Sequence, residues 1–515
     1  MASRFVTLRS YAGCDRFVRV FRLWSLVSRL WWFAPWLFEL RRLAFTMPSM
    51  TSAPAAAVAG ILLALAACAR QPGVRAVDAC DDVDRGVGRC VSLSVPENRA
   101  RPGGRTIPLR VVVLPAAGPD RAPDPVVFLA GGPGEAATRM ARFYAESPLR
   151  DRRDLVFADQ RGTGGSNDLR CDFYGAGSTP SPRFEDFLPV AKVPGCRAAL
   201  EAAADLTQYT TAASVADLDD LRRELGYETL NLIGGSYGTR LAMEYVRQHE
   251  ARVRTVTLEG PVPPALKAPE GFGRAAARAL DGLLDECLAD EACARAYPEI
   301  KEEAAAVFDR LRQGPATADG VEMTRDHVGE AIRYMLYSPE QASRVPQVLH
   351  AAYGRDFGPL ARFLRQWRRD GTFDALYLSI TCAEDVPFVA ADAAERDEPT
   401  FLGGYRVRQQ RAACALWPRG EAPAWRGQPV HARTPALIVS GTLDPVTPAE
   451  HGDAIARTLP DSLHVRVPSG AHSYRGLVGA DCLEDLKRRF IDAGRAAGLD
   501  TACVATIRRR GFAIE

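Results

Sequence analysis

Lysine and histidine are scarce in this chain of 515 residues, with four of the first (Lys192, Lys267, Lys301, Lys487) and seven of the second. The 12 cysteines include no Cys-x-x-Cys pair, and no His-x-x-x-His accompanies them. The usual spacing of a zinc site is therefore missing. No Gly-Lys-Ser/Thr follows a glycine-rich turn, which removes a phosphate-cradling P-loop. Net charge is lacking too: 65 Lys+Arg against 63 Asp+Glu leaves +2. That balance excludes a nucleic-acid binder working through bulk charge. There is no internal repeat, no low-complexity linker and no coiled-coil heptad, so solenoids and fibres drop out. What remains is globular, with 47% hydrophobic and 25% charged residues. Its length suits about three domains, or one α/β core with a large insertion.

The N-terminus reads as targeting sequence. Residues 1–46 hold eight Arg against Asp15 and Glu39. Arg22, Arg29 and Pro35 interrupt their apolar stretch, which no membrane span of about 20 residues tolerates well. A basic interfacial helix is one reading. An upstream extension before a start at Met47 or Met50 is the other. Residues 53–67 then form an apolar run of secretory type, too short to span a bilayer. Its end, Leu65-Ala66-Ala67-Cys68, resembles the lipobox of bacterial lipoproteins. That resemblance implies cleavage before Cys68, a lipid on its thiol and, with Ala69 next, outer-membrane anchoring. An ordinary signal peptide with an incidental Cys is the alternative. Cleavage at Cys68 would leave a chain of net charge −4.

Export implies an oxidising compartment. Apart from Cys14 and Cys68, ten cysteines fall into sequence-local pairs: Cys80/Cys90, Cys171/Cys196, Cys287/Cys293, Cys382/Cys414 and Cys482/Cys503. Short loops favour this pairing among the many possible.

Alternating apolar residues at 91–95 and 107–113 predict two antiparallel edge strands. Apolar runs at 126–130, 155–158, 230–233, 256–258, 436–440 and 463–467 each end in glycine or a charged turn. Buried strands with such C-terminal punctuation mark a parallel α/β sheet. A helix is expected from Ser214 to Leu225, capped by Ser214 with Asp217 and stopped by Gly226. Others should follow Ser236 directly and cover residues 483–497. Residues 261–430 show helical periods (275–288, 300–311, 328–336) and read as a helical cap inserted into the sheet. The expected plan is a leader over 1–68, a core over 69–260 and 431–515, and the cap between.

Gly234-Gly235-Ser236-Tyr237-Gly238 matches the nucleophile elbow G-x-S-x-G, between a strand and a helix as that motif requires. A serine nucleophile needs a base, and the base an orienting acid. The order Ser, acid, His selects Asp444, after a late strand, and His472, just past the next strand. A helix cap and a surface loop are the structural alternatives for these two. His464 lies inside a strand and reads as structural. The other five histidines read as structural or solvated. The oxyanion needs two backbone donors. Tyr237, after the nucleophile, is one, and Gly132 of Gly131-Gly132-Pro133-Gly134 is the other.

Four segments together carry a family resemblance. They are Ala130-Gly131-Gly132-Pro133-Gly134, Asp159-Gln160-Arg161-Gly162-Thr163-Gly164-Gly165-Ser166, the elbow through Thr239, and residues 441–448 around Asp444. They resemble the prolyl-aminopeptidase and tripeptidyl-aminopeptidase branch of the α/β hydrolases, over roughly residues 90–510. The resemblance implies an α/β-hydrolase fold with an inserted helical cap and an exported serine peptidase. Such an enzyme releases N-terminal residues or short peptides through an acyl-enzyme, with no metal or cofactor. Two positions depart from the pattern: Ala130 stands where His is usual, and Glu259 where Asp is expected. An exo-acting aminopeptidase needs an anion for the substrate's amine, and Glu384, in Cys382-Ala383-Glu384-Asp385, is the candidate; a solvated acidic turn is the alternative. The rival functions are an esterase using the same three residues and a non-catalytic surface lipoprotein. Expected partners are a peptide or ester substrate and, through Cys68, a membrane, with no nucleic acid.

Overall fold

Six apolar runs lie side by side in the computed structural model, which describes residues 74–77, 87–101, 103–171, 173, 187–318, 320–366 and 373–514. The leader, Cys14, Cys68 and Cys80 lie outside the described residues. Among those residues the main sheet has nine strands. They are β1 (Arg75–Val77), β2 (Arg89–Pro96), β3 (Thr106–Leu114), β4 (Val126–Leu129), β5 (Leu155–Ala158), β6 (Leu230–Gly235), β7 (Val253–Glu259), β8 (Ala436–Gly441) and β9 (Ser462–Val467). Their order is β1-β2-β3-β5-β4-β6-β7-β8-β9. The first three pair antiparallel, and β3 meets β5 antiparallel. From β5 onward every pairing is parallel. This is the α/β-hydrolase architecture that the sequence motifs imply.

Parallel strands must be covered on both faces, so their side chains are apolar on both. Val127 packs on one side with Leu232 and Val256, whereas Val126 and Phe128 pack on the other with Ile233 and Val439. Helices α1 (Thr211–Glu224) and α2 (Tyr237–His249) cover the first side through Val215, Leu218, Leu221 and Leu241. Between β7 and β8 the chain is largely helical. It includes α3 (Phe272–Ala289), α4 (Arg325–Met335), α5 (Asp374–Glu384) and α6 (Tyr405–Leu416), with one short hairpin at Ala316–Ala318 and Val321–Met323. Helix α7 (Asp481–Ala493) covers the second side through Leu483, Leu486, Phe490 and Ile491.

The predicted start of α1 needs correction. The helix begins three residues early, and Thr210 is its cap, its hydroxyl accepting from the Ala213 N–H. Ser214 therefore lies in the second turn, with its hydroxyl buried. Among the described residues, those from Val74 to Ile514 fall in one compact unit. Disulfides join Cys171–Cys196, Cys287–Cys293, Cys382–Cys414 and Cys482–Cys503, as the spacing predicts. Cys90 is also disulfide-bonded. Among the described residues no helix is long and apolar enough to cross a membrane.

Candidate active site

Strand β6 turns into α2 at Ser236, whose backbone sits at φ +53° and ψ −123°. L-residues rarely occupy that region, and holding one there costs about 1–3 kcal/mol. Neighbours impose it. The Ser236 N–H donates to the Glu259 carbonyl at 2.8 Å, and the Ser236 carbonyl accepts from the Thr239 amide at 2.9 Å and hydroxyl at 2.6 Å. Glycine supplies the space. A Cβ on Gly234 would lie 2.5 Å from the Gly238 carbonyl oxygen, and one on Gly238 would run into the Leu129 carbonyl.

Asp444 follows β8 and His472 follows β9. The two meet through a 2.8 Å hydrogen bond between His472 Nδ1 and Asp444 Oδ2. Asp444 Oδ1 accepts from the amides of Val446 and Thr447, each at 2.8 Å, and Oδ2 from the Thr447 hydroxyl at 2.7 Å. Burial opposes the charge on Asp444, yet the nearby His472 and these hydrogen bonds hold its carboxyl below the usual range. Burial likewise opposes protonation of His472. The Asp444 carboxylate outweighs it, with a further contribution from Glu135, so the imidazole is raised. His464 makes different contacts, bonding Asp453 and the Ser440 hydroxyl, each at 2.9 Å, as a strand residue tying β9 to its surroundings.

The turn after β4 brings Gly132, at φ +105°, to the same place. Tyr237 is the first residue of α2, where an N–H has no intrahelical acceptor. The Asp159–Ser166 loop braces this turn. Gln160 Nε2 donates to the Ala130 carbonyl at 3.2 Å, and the Asp159 carboxylate accepts from the Thr138 amide at 2.9 Å. Arg161 is fully buried and bonds both Asp217 oxygens at 2.7 Å, as well as the carbonyls of Glu97 and Gln208 at 2.9 Å. The most distinctive motif in the sequence is thus scaffolding.

Ser236, His472, Gly132 and Tyr237 line one cavity of about 800 Å³. Residues from between β7 and β8 supply much of its wall. The Tyr337 ring stands edge-on to His472 at 5.2 Å, and its carbonyl accepts from the Ser473 amide at 2.9 Å. Arg333 is buried against the Phe272 ring at 5.1 Å and donates to the Tyr337 hydroxyl at 2.9 Å. Phe128, Met140, Tyr144 and Leu483 also line the cavity. There the buried Lys487 ammonium reaches Glu259 at 3.0 Å and Glu484 at 2.6 Å. Among the described residues no group of three or more His, Cys, Asp or Glu side chains is placed to hold a metal ion.

Glu384 is not placed as the sequence suggests. It does not line this cavity. Its carboxylate is buried, accepting from the Thr211 amide at 2.7 Å and the Thr211 hydroxyl at 2.6 Å. Neither is it a solvated acidic turn. Asp385 does line the cavity, but Arg240 and Arg426 meet it at 3.0 and 2.8 Å. The carboxylate that sequence reasoning missed is Glu135, directly after Gly134, whose side chain opens into the cavity. Enclosure by the cavity walls pushes its carboxyl up, partly offset by the nearby His472. Its adjacency to the glycine turn was the available signal. Tyr337 and Arg333 offered none, because only the fold brings them to His472.

The family model for the alpha/beta hydrolase fold matches residues 124–474. The chain belongs to the α/β-hydrolase family. Within this family it is similar to a carboxylesterase B of Mycobacterium tuberculosis, 28% identical over 418 residues, covering 72% of this chain and 78% of that one. It is also similar to the serine protease Hip1 of the same organism, 26% identical over 422 residues, covering 73% and 79%. A proline iminopeptidase of Xylella fastidiosa matches at 31% identity over 137 residues, 26% of this chain and 32% of that one. A solved proline iminopeptidase structure from Mycobacterium smegmatis is 16% identical, covering 78% of this chain and 98% of that one, with a TM-score of 0.40.

Proposed function

We propose that this α/β hydrolase is a serine hydrolase that releases N-terminal residues or short peptides through an acyl-enzyme. Ser236 attacks the carbonyl, and His472 takes its proton and then delivers it to the leaving amine. Asp444 orients the imidazole and stabilises its cation. The Gly132 and Tyr237 amides receive the oxyanion. The observation that carries this reading is His472, held by Asp444 at 2.8 Å, lining the same cavity as the strained Ser236. Similarity to Hip1 and to a proline iminopeptidase supports the peptidase side.

Ester hydrolysis with the same residues is the second reading, favoured by the similarity to carboxylesterase B. A panel of aminoacyl, prolyl and tripeptidyl amides beside p-nitrophenyl esters separates the two. Turnover of esters without amides discards the peptidase. Fluorophosphonate labelling that Ser236→Ala abolishes supports the nucleophile, and labelling that survives the substitution rejects it. A wild-type chain that takes no label at all returns the non-catalytic lipoprotein.

Export belongs to the same proposal. Four disulfides support an oxidising compartment. Cys68 would anchor the mature chain through lipid. Mass spectrometry of the mature N-terminus tests this, and a peptide that begins upstream of Cys68 rejects it.

A further inference from the structure

Five carboxylates line the catalytic cavity. Asp385 is met by Arg240 and Arg426, and Glu259 and Glu484 by Lys487. Asp481 is exposed at the start of α7. Glu135, exposed as well, differs from Asp481 in its place. It follows the glycine turn that carries Gly132, and its side chain opens to the cavity beside the nucleophile.

Its position is fixed by a shared neighbour. A Cβ built on Gly131 would lie 3.1 Å from Ser236 Cβ and 3.2 Å from Glu135 Oε2. The carboxylate oxygen and the serine Cβ are therefore no more than about 6.3 Å apart. An α-amino nitrogen sits only about 2.5 Å from its own carbonyl carbon, whereas each further residue of extended chain moves it about 3.3–3.6 Å away. An anion this close to Ser236 matches the amine of the residue under attack, not one two residues upstream. Glycine at 131 keeps the space between them open.

We propose that Glu135 binds the free α-ammonium of the residue whose carbonyl Ser236 attacks, so that the substrate class is single aminoacyl groups with an unblocked N-terminus. This rests on Ser236 being the nucleophile. It replaces Glu384 as the amine acceptor and separates this chain from a tripeptidyl-releasing enzyme. An ammonium arriving at Glu135 favours the ionised carboxylate and forms a charge-assisted hydrogen bond with it.

The test uses two esters of one amino acid, alanine benzyl ester and its N-acetyl derivative, which a peptidase and an esterase can both cleave. Trialanine benzyl ester is the third substrate. Wild type is expected to favour alanine ester over both others. In Glu135→Gln the ratio of kcat/KM for free over acetylated ester should fall at least tenfold, mainly through KM, and Glu135→Asp should retain part of the preference. Thermal melts of both variants check the fold, and Glu135→Asp keeps the test alive if the Gln variant melts early. An unchanged ratio in folded Glu135→Gln overturns the proposal, as does an equal loss on both esters, which would place Glu135 behind His472. A wild-type preference for the trialanine ester also overturns it. Turnover of none of the three by a wild type that Ser236-directed fluorophosphonate still labels overturns the proposal, and absence of both turnover and label rejects the Ser236 reading itself.

Discussion

The Glu384 carboxylate accepts both the amide and the hydroxyl of Thr211, at 2.7 and 2.6 Å, and that hydroxyl is 2.9 Å from the Tyr237 hydroxyl. One side chain from α5 thereby ties the chain between β7 and β8 to the start of α1 and to the residue after Ser236. All the groups involved are buried.

Glu384→Ala should consequently behave as a stability variant. It strands the Thr211 donors without partners, at about 1–3 kcal/mol for each buried group. The denaturation midpoint should fall accordingly. Turnover of blocked and unblocked substrates should decline together, since the Thr211 hydroxyl that meets Tyr237 loses its acceptor. A KM defect confined to free-amine substrates, with an unchanged midpoint, would contradict this assignment.

The raised pKa of His472 sets a pH dependence. The imidazole must be neutral to accept the serine proton, so the acid limb of kcat/KM should lie above the ordinary value of about 6.5. Stability runs the other way. A histidine raised in the folded state contributes stability that is complete below its unfolded value and fades as pH rises through the folded one. Activity should therefore climb over the window in which this increment of stability is lost. In Asp444→Asn the limb should move down and kcat fall by on the order of thousandfold or more, as in serine enzymes deprived of the orienting acid. A limb that stays in place would separate Asp444 from the titration.

What the sequence reveals and what it hides follow from distance along the chain. The strand runs, the elbow, Asp444 and His472 are local patterns, since each sits at the C-terminal end of a recognisable strand. Thr211 lies 173 residues from Glu384, and Glu259 lies 228 from Lys487. No window of sequence shows that a carboxylate at 384 is spent on a threonine at 211. Two adjacent acids at 384–385 look like a binding pair, and the fold spends both on the frame. The start of α1 was missed for a smaller reason. Thr210, Thr211 and Ser214 are all competent caps, and packing chooses Thr210.

Arg161 illustrates how a motif can matter without touching substrate. Its guanidinium is fully buried and meets both oxygens of Asp217. Arg161→Met should destabilise the fold, but by less than the about 3–5 kcal/mol of a fully stranded buried charge, because Arg99 still meets Asp217 at 2.5 Å. Arg161→Met with Asp217→Asn should recover part of that loss. Urea midpoints of the two single variants and the double variant measure the coupling. Strict additivity would mean that the pair is held by the surrounding carbonyls alone.

Lys487, one of four lysines in the chain, is another buried cation with structural work. Burial opposes its charge, but Glu259, Glu484 and their hydrogen bonds hold its pKa well above the usual lysine range. The ammonium therefore stays charged at every pH at which the protein would work. Lys487→Met leaves the partly exposed Glu259 and Glu484 carboxylates without their cation, and the loss should fall short of the about 3–5 kcal/mol of a fully buried pair. Glu259 also accepts the Ser236 N–H through its carbonyl, so a shift of its side chain reaches the elbow. Lys487→Met should thus lower kcat as well as the melting temperature. Adding Glu259→Gln removes the unpaired charge and should restore the melting temperature more than kcat. If the double variant is no more stable than Lys487→Met alone, the lysine's contribution lies in Glu484 or in packing.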